Sequence, residues 1–263
     1  MTAKDYYLRT PAEIRQHAAQ YRRVWILKID PMDEQSPGSN EDQTSERKKT
    51  LPSEKFKVLL ILFAAYGLVW ADLFLPQPPI PAFSVPWFAF AAAKNCARII
   101  IVFIIMKKIG LTRESVRLPK GKDFVDGLTV ATAAGVLALG IAGLAYVLGA
   151  SIPLLASLPM PGASPALYLV MAFSSLTIGY AEELFFRIFA PRLLEKTGLS
   201  ALTALLISAL IFGLSHASQG FFGMIVSTLL ALLFSYFRVR GKNLHALALG
   251  HAIYDFVILA ALV

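Results

Sequence analysis

Three short patterns late in the chain bring together side chains that can move protons. They are Ala181-Glu182-Glu183-Leu184-Phe185-Phe186-Arg187, Phe212-Gly213-Leu214-Ser215-His216 and His251-Ala252-Ile253-Tyr254-Asp255. If each is helical, Glu183 and Arg187 share a face and can form a salt bridge. Phe212 and His216 share a face at the same spacing, as do His251 and Asp255. Glu182 is then turned by about 100° from its neighbour and has no obvious local partner. Such a carboxylate can take a proton from water. The competing reading of the first pattern is a structural ion cluster at a helix end. A lone histidine is usually a satisfied core residue. Yet of four histidines, three (His216, His245 and His251) fall in or beside the last three apolar runs, and only His17 lies elsewhere. His245 lies near the basic stretch Arg238–Lys242 and reads as an interface residue.

The elements that must carry these groups are membrane helices. The 263 residues are 56% hydrophobic with a mean hydropathy of +0.60, and the apolar residues collect into runs long enough to span a bilayer. The predicted fold is all-α: a polytopic transmembrane bundle of seven spans, at 56–76, 84–107, 124–149, 165–191, 199–216, 219–237 and 243–262. Basic and uncharged connections alternate. Lys48, Lys49, Lys55 and Lys57 precede the first span. Lys107, Lys108, Arg113, Arg117, Lys120 and Lys122 follow the second, Arg192 and Lys196 the fourth, and Arg238, Arg240 and Lys242 the sixth. The intervening loops 77–83, 151–161 and 217–220 carry no charge. The positive-inside rule then predicts a cytoplasmic N-terminus. The net charge of +8 therefore reads as topology and contact with anionic lipid, not nucleic acid. Pro86 and Pro191-Arg192 mark expected helix starts or ends, and Gly198 suits a helix C-terminal cap.

Residues 1–55 are expected to be a cytoplasmic segment ahead of a transmembrane domain at 56–263. Thr10-Pro11-Ala12-Glu13 has the form of a helix start. The helix predicted from it, with Arg15, Arg22, Arg23 and Trp25, fits either a membrane surface or water. Residues 31–52 are polar enough for a disordered linker. No apolar segment of signal-peptide type occurs in the first 50 residues. The single cysteine, Cys96, excludes an intrachain disulfide and reads as a small apolar side chain. Asp72, Lys94 and Arg98 are further charges within apolar runs. An intramembrane charge is a functional-site hypothesis by default, but these three read as an internal ion pair or as side chains reaching for headgroups.

Taken together and in this order on late spans, Glu-Glu-x-x-x-Arg, Phe-x-x-x-His and His-x-x-x-Asp resemble the CPBP family, the CAAX-protease and bacteriocin-processing (Abi) intramembrane proteases. The resemblance covers about 165–262, the expected protease-like core. It implies an endopeptidase acting on a membrane-associated or exported protein, in a cell membrane and, for a bacterial source, the inner one. It assigns Glu182 and His216 to activating water, and His251 and Asp255 to holding the oxyanion or substrate. Glu183, Arg187 and Phe212 support them. The last motif position is Asn in much of the family and Asp in other members, and an Asp suits orienting His251 better than donating to an oxyanion. Peptide hydrolysis needs a base for water, an oxyanion donor and a proton for the leaving amine, and these residues can supply all three. Ser215 is expected to point about 100° away from His216 and to be a poor nucleophile for it. No cofactor is expected. If zinc is bound, Glu182, His216 and His251 are its ligands, though without the His-Glu-x-x-His spacing of a zincin.

Counted at 1.5 Å per residue, Glu182 and His216 lie roughly 21 and 30 Å from Lys196, and His251 and Asp255 roughly 14 and 20 Å from Lys242. The four can share a layer near the bilayer middle. Two other functions remain compatible with the pattern. One is a non-catalytic immunity or scaffold protein of the same fold. The other is a proton-coupled transporter, against which the lack of paired broken helices counts.

Overall fold

The computed structural model describes residues 52–71, 79–111, 118–149 and 164–261, all within the unit 49–263. Residues 1–51, including the expected N-terminal helix and nearly all of the expected linker, lie outside the described residues, as do Asp72, Arg113, Arg117 and the whole of the loop 151–161. The described residues form seven helices and no strand: α1 (Pro52–Val69), α2 (Val85–Lys108), α3 (Gly121–Val147), α4 (Pro165–Lys196), α5 (Ala201–Ser215), α6 (Gly220–Val239) and α7 (Leu244–Ala260). Their positions follow the seven apolar runs closely.

Four helical segments are long and apolar enough to cross a membrane: Val85–Lys108, Gly121–Val147, Pro165–Lys196 and Ala217–Val239. The chain is a membrane protein. Helices α5 and α7, at 15 and 17 residues, are about 22 and 25 Å long and fall short of the ~30 Å hydrocarbon layer.

The helix starts follow local chemistry. Ser84, Ser164, Ser200 and Asn243 stand just before α2, α4, α5 and α7, and each side-chain oxygen accepts a backbone N–H three residues on. This satisfies N–H groups that the first helical turn leaves open. Pro86 and Pro165 fall in the first turns, where a missing N–H costs nothing. Gly198 ends α4 at φ 96°, in the left-handed region where glycine is favoured.

Pro191 does not end its helix. Helix α4 runs on to Lys196 because a π-helical turn, Leu184–Phe189, interrupts it first. In that register the Ala190 N–H reaches back to the Phe185 oxygen. The next carbonyl, Phe186, falls opposite Pro191, which has no N–H to give. Ser208 of α5 supplies the missing donor, its hydroxyl meeting the Phe186 oxygen at 2.6 Å. All six residues of the π turn are buried. Phe185, Phe186 and Phe189 pack with Trp70 just past α1, Met106 of α2 and Phe212 of α5 in the largest apolar cluster.

Helices α3 and α4 both pack on α7 through small residues. A Cβ at Gly179 would come within 2.5 Å of the Ala248 carbonyl oxygen, and one at Gly250 within 2.6 Å of Val130. In a membrane, where apolar surface is already solvated by lipid, such close backbone approach is a main source of helix association. Polar contacts tie the same elements at their basic ends. Lys242 pairs with Asp126 at 2.7 Å, and Asn243 donates to the buried Asp123 at 2.7 Å. Arg98 serves the fold: its Nε donates to the Val69 oxygen at the end of α1 at 2.9 Å, and its guanidinium lies 4.0 Å from the Trp70 ring centroid. Lys94 lies 5.3 Å over the Phe90 ring.

Replacing Gly179 with Val should separate α4 from α7. The expected loss is about 1–3 kcal/mol or more, the usual range for overpacking. Thermal unfolding in detergent checks it, with Gly143→Val as control, since a Cβ at Gly143 meets nothing within 4 Å.

Candidate active site

Three of the four expected catalytic side chains meet directly. His251 projects from α7 between the carboxylates of α4 and one from its own helix. Its Nδ1 lies 3.0 Å from Glu183 Oε1, and its Nε2 lies 3.6 Å from Glu182 Oε2 and 3.5 Å from Asp255 Oδ2. The first is a hydrogen bond. The other two are longer than a good hydrogen bond and leave room at Nε2. Asp255 and His251 make the expected i,i+4 pair.

Glu183 is wholly buried. Its second oxygen, Oε2, lies 3.3 Å from Arg187 Nε, so the expected salt bridge is present inside the protein. The Arg187 guanidinium lies 5.1 Å from the Phe212 ring centroid and 5.9 Å from that of Phe234. Aromatic faces are negative at the centre, so they stabilise a cation for which the interior has little else. Glu182, one residue earlier, turns away and keeps 12% of its side chain exposed. Two adjacent carboxylates thus have different surroundings: one is locked between Arg187 and His251 and one is reachable.

His216 takes a different position from the expected one. Helix α5 stops at Ser215, and His216 is the capping residue, with φ −95° and ψ 18°. Its helix starts at Ala201, so His216 lies about 22 Å along it, not 30 Å from Lys196. Its Nδ1 lies 2.9 Å from the Phe212 oxygen. A carbonyl only accepts, so Nδ1 carries a hydrogen, and in the neutral ring Nε2 is then the nitrogen with the lone pair. His216 and Phe212 rings are 4.6 Å apart, as their spacing predicts. His216 is joined to the cluster through Phe212, whose ring centroid lies 4.6 Å from that of His216 and 6.3 Å from that of His251.

The expectation that Ser215 points away from His216 is overturned. Because His216 leaves the helix, its ring folds back and Nδ1 comes 3.3 Å from Ser215 Oγ. The hydroxyl proton is nonetheless committed to the Phe212 oxygen at 2.6 Å, so Ser215 is not activated by that ring.

The patterns did not reveal the second wall of the site. Phe234 of α6 lies 5.2 Å from the His251 ring and is buried. Tyr66 of α1 lies edge-on to Phe185 of the π turn, 6.1 Å between ring centroids. No polar residue or spacing in either segment advertises this. Among the described residues, no group of three or more His, Cys, Asp or Glu side chains is arranged to hold a metal ion. Of the suggested zinc set, Glu182 and His251 are in contact.

Comparison with known families decides what this cluster belongs to. Residues 164–257 match the family model described as type II CAAX prenyl endopeptidase, Rce1-like. This segment is similar to that family. The matched family is one of endopeptidases, which supports proteolysis in a membrane protein at the level of the family. The resemblance read from the three motifs is thereby supported at the level of the family. The matched segment holds Glu182, Glu183, Arg187, Phe212, His216, His251 and Asp255 within its limits, whereas α1, α2 and α3 lie outside it. Neither a search of curated proteins nor a search of solved structures gave a match.

The Glu183–Arg187 pair yields a stability prediction. Arg187→Met leaves Glu183 buried without its cation and should cost about 3–5 kcal/mol, the usual price of breaking a buried pair. Glu183→Gln with Arg187→Met should recover part of that loss. Denaturation of the single and double variants in detergent measures both.

Proposed function

We propose that the chain is an intramembrane endopeptidase that hydrolyses a peptide bond of a membrane-associated or exported protein by glutamate-activated water. The observation that carries this reading is the unequal pair Glu182 and Glu183 on either side of His251. Glu183 is sealed and orients the imidazole through Nδ1. Glu182 is reachable and faces the same ring at Nε2, where a water has room.

In this mechanism Glu182 and the bare Nε2 of His216 accept from the attacking water. Glu182 takes its proton as the oxygen adds to the scissile carbonyl. An Nε2–H of His251 donates to the resulting oxyanion. With Nδ1–H already given to Glu183, this requires the doubly protonated ring, whose charge is balanced by the surrounding carboxylates. The proton held by Glu182 then passes to the leaving amine, and the C–N bond breaks. Asp255 holds the His251 ring by the i,i+4 contact. The basic loops are assigned to the cytoplasm and all seven helices to the membrane. The depth of the four residues then suits a substrate held in, or crossing, the bilayer.

The test compares membranes from cells carrying the wild-type chain, Glu182→Gln or His216→Ala, by mass spectrometry of protein C-termini. A shortened product should appear with the wild type only. On a peptide built on the cleaved sequence, each variant should lose at least about a thousandfold in kcat. Asp255→Asn should stay within about tenfold of wild type, since Asn keeps the shape and one acceptor oxygen. Full activity of Glu182→Gln overturns the mechanism. Loss of wild-type activity on chelation, restored by zinc, replaces water activation by Glu182 with water activation by a metal held through Glu182 and His251.

A further inference from the structure

We propose that Phe234 is a positioning residue for His251, so that α6, a helix without any of the three motifs, contributes an aromatic ring to the working site. The inference rests on the hydrolytic reading for its consequence in rate, and on geometry alone for its consequence in structure.

Helix α6 buries Ser227, Leu230, Ala231, Phe234 and Ser235, one stripe at helical spacing. Its one charged residue, Arg238, lies at the basic end and donates to the Lys242 oxygen at 3.3 Å. Phe234 is the one aromatic ring of that stripe and is 2% exposed. It packs with Val130 and Ala134 of α3, Leu230 of its own helix and Leu247 of α7. Close packing from three helices fixes the ring before any polar contact is counted. Leu247 precedes His251 by one turn on the same face of α7. The packing that fixes Phe234 therefore also carries the imidazole to it.

The rings of Phe234 and His251 lie 5.2 Å apart between centroids, tilted by 38°. The Arg187 guanidinium lies 5.9 Å from the same Phe234 ring. Phe212 of α5 stands in a similar relation to both groups, at 6.3 Å from the His251 ring and 5.1 Å from Arg187. Two rings from two helices thus border both partners of Glu183. The carboxylates hold His251 only at its nitrogens, Glu183 at Nδ1 and Glu182 and Asp255 at Nε2. A fixed aromatic ring adds what they do not. It limits how far the imidazole can tilt, and it attracts the imidazolium more than the neutral ring. The imidazolium is the form that can donate from Nδ1 to Glu183 and from Nε2 to an oxyanion at once.

The test places mono-, di- and trifluorophenylalanine at position 234 of the full chain in detergent micelles. Fluorine drains charge from the ring face and nearly keeps its shape, so the series separates cation–π attraction from core filling. Glu182, Glu183 and Arg187 of α4, Asp255 of α7 and, through Phe212, His216 after α5 are the titratable groups around His251, and the series leaves all of them in place. Nitrogen-15 NMR of labelled histidine follows His251, assigned by its loss in His251→Ala. At the pH where the wild-type ring is half protonated, the doubly protonated share should fall with each fluorine. On the peptide described above, kcat should fall in step, reaching roughly threefold to tenfold below wild type with trifluorophenylalanine, and KM should stay within about twofold. Phe234→Leu, which has no ring, should lose at least as much. A flat response of His251 protonation, or a flat kcat in a protein that Glu182→Gln inactivates, overturns the proposal even where Phe234→Leu is impaired. If Glu182→Gln itself remains active, the hydrolytic reading fails instead, and the NMR series still decides the positioning.

Discussion

The site depends on keeping one carboxylate, Glu183, entirely out of water. A buried anion costs several kcal/mol unless partners replace its hydration. Glu183 has two, Arg187 at 3.3 Å within its own helix and His251 at 3.0 Å on α7. The second is available only if α4 and α7 lie close together. Gly179 allows that, since any side chain there would strike the Ala248 carbonyl. A glycine, a helix contact, a buried ion pair and the orientation of an imidazole are thus successive links of one dependency. Glu182 escapes it by one residue, which is why two adjacent glutamates can differ so much in access to water.

The π turn after Glu183 is the second constraint. Such turns are rare and less well bonded than an α-helix, and they recur at functional sites. Here it occupies Leu184–Phe189 and contains Arg187. Its widened register leaves the Phe186 carbonyl facing a proline. In the bilayer interior an unmet carbonyl is costly, so the donor must come from protein. Ser208 provides it and fastens α5 to α4. The same fastening brings Phe212 and His216, further along α5, toward the carboxylates. An irregularity in one helix is therefore coupled to the placement of a residue on another.

Much of this was legible in the sequence, for definable reasons. Apolar runs mark helices because lipid leaves the backbone few alternatives, and the seven runs match the seven helices to within several residues. Spacing gave the Glu183–Arg187 and His251–Asp255 pairs, because i,i+4 is a property of the helix itself. What spacing cannot give is contact between helices: nothing local to His251 says that its Nδ1 will meet Glu183. Regular-helix arithmetic also failed where the helix was not regular. Pro191 was read as a boundary because the π register was not foreseen. Ser215 was turned away from His216 because the helix was assumed to continue through both.

The Rce1-like match ends at the edges of the chemistry, yet the protein needs more than those residues. The segment 164–257 supplies every carboxylate and histidine of the cluster. It does not supply the surfaces that enclose them. Trp70, just past the end of α1, packs against Phe185 and Phe186 of the π turn, with ring centroids 6.2 and 5.5 Å away, and the guanidinium of Arg98 on α2 lies 4.0 Å from its ring centroid. Helix α3 covers α7 through Gly127, Val130 and Gly250. A cluster of charges this deep is stable only while its walls exclude lipid and admit water at one point. The first three helices carry no motif because this task asks only for shape: aromatic bulk where the π turn widens, and small residues where backbones touch. Many sequences meet that demand, so it leaves little trace in residue identity, although the charged residues cannot be held without it.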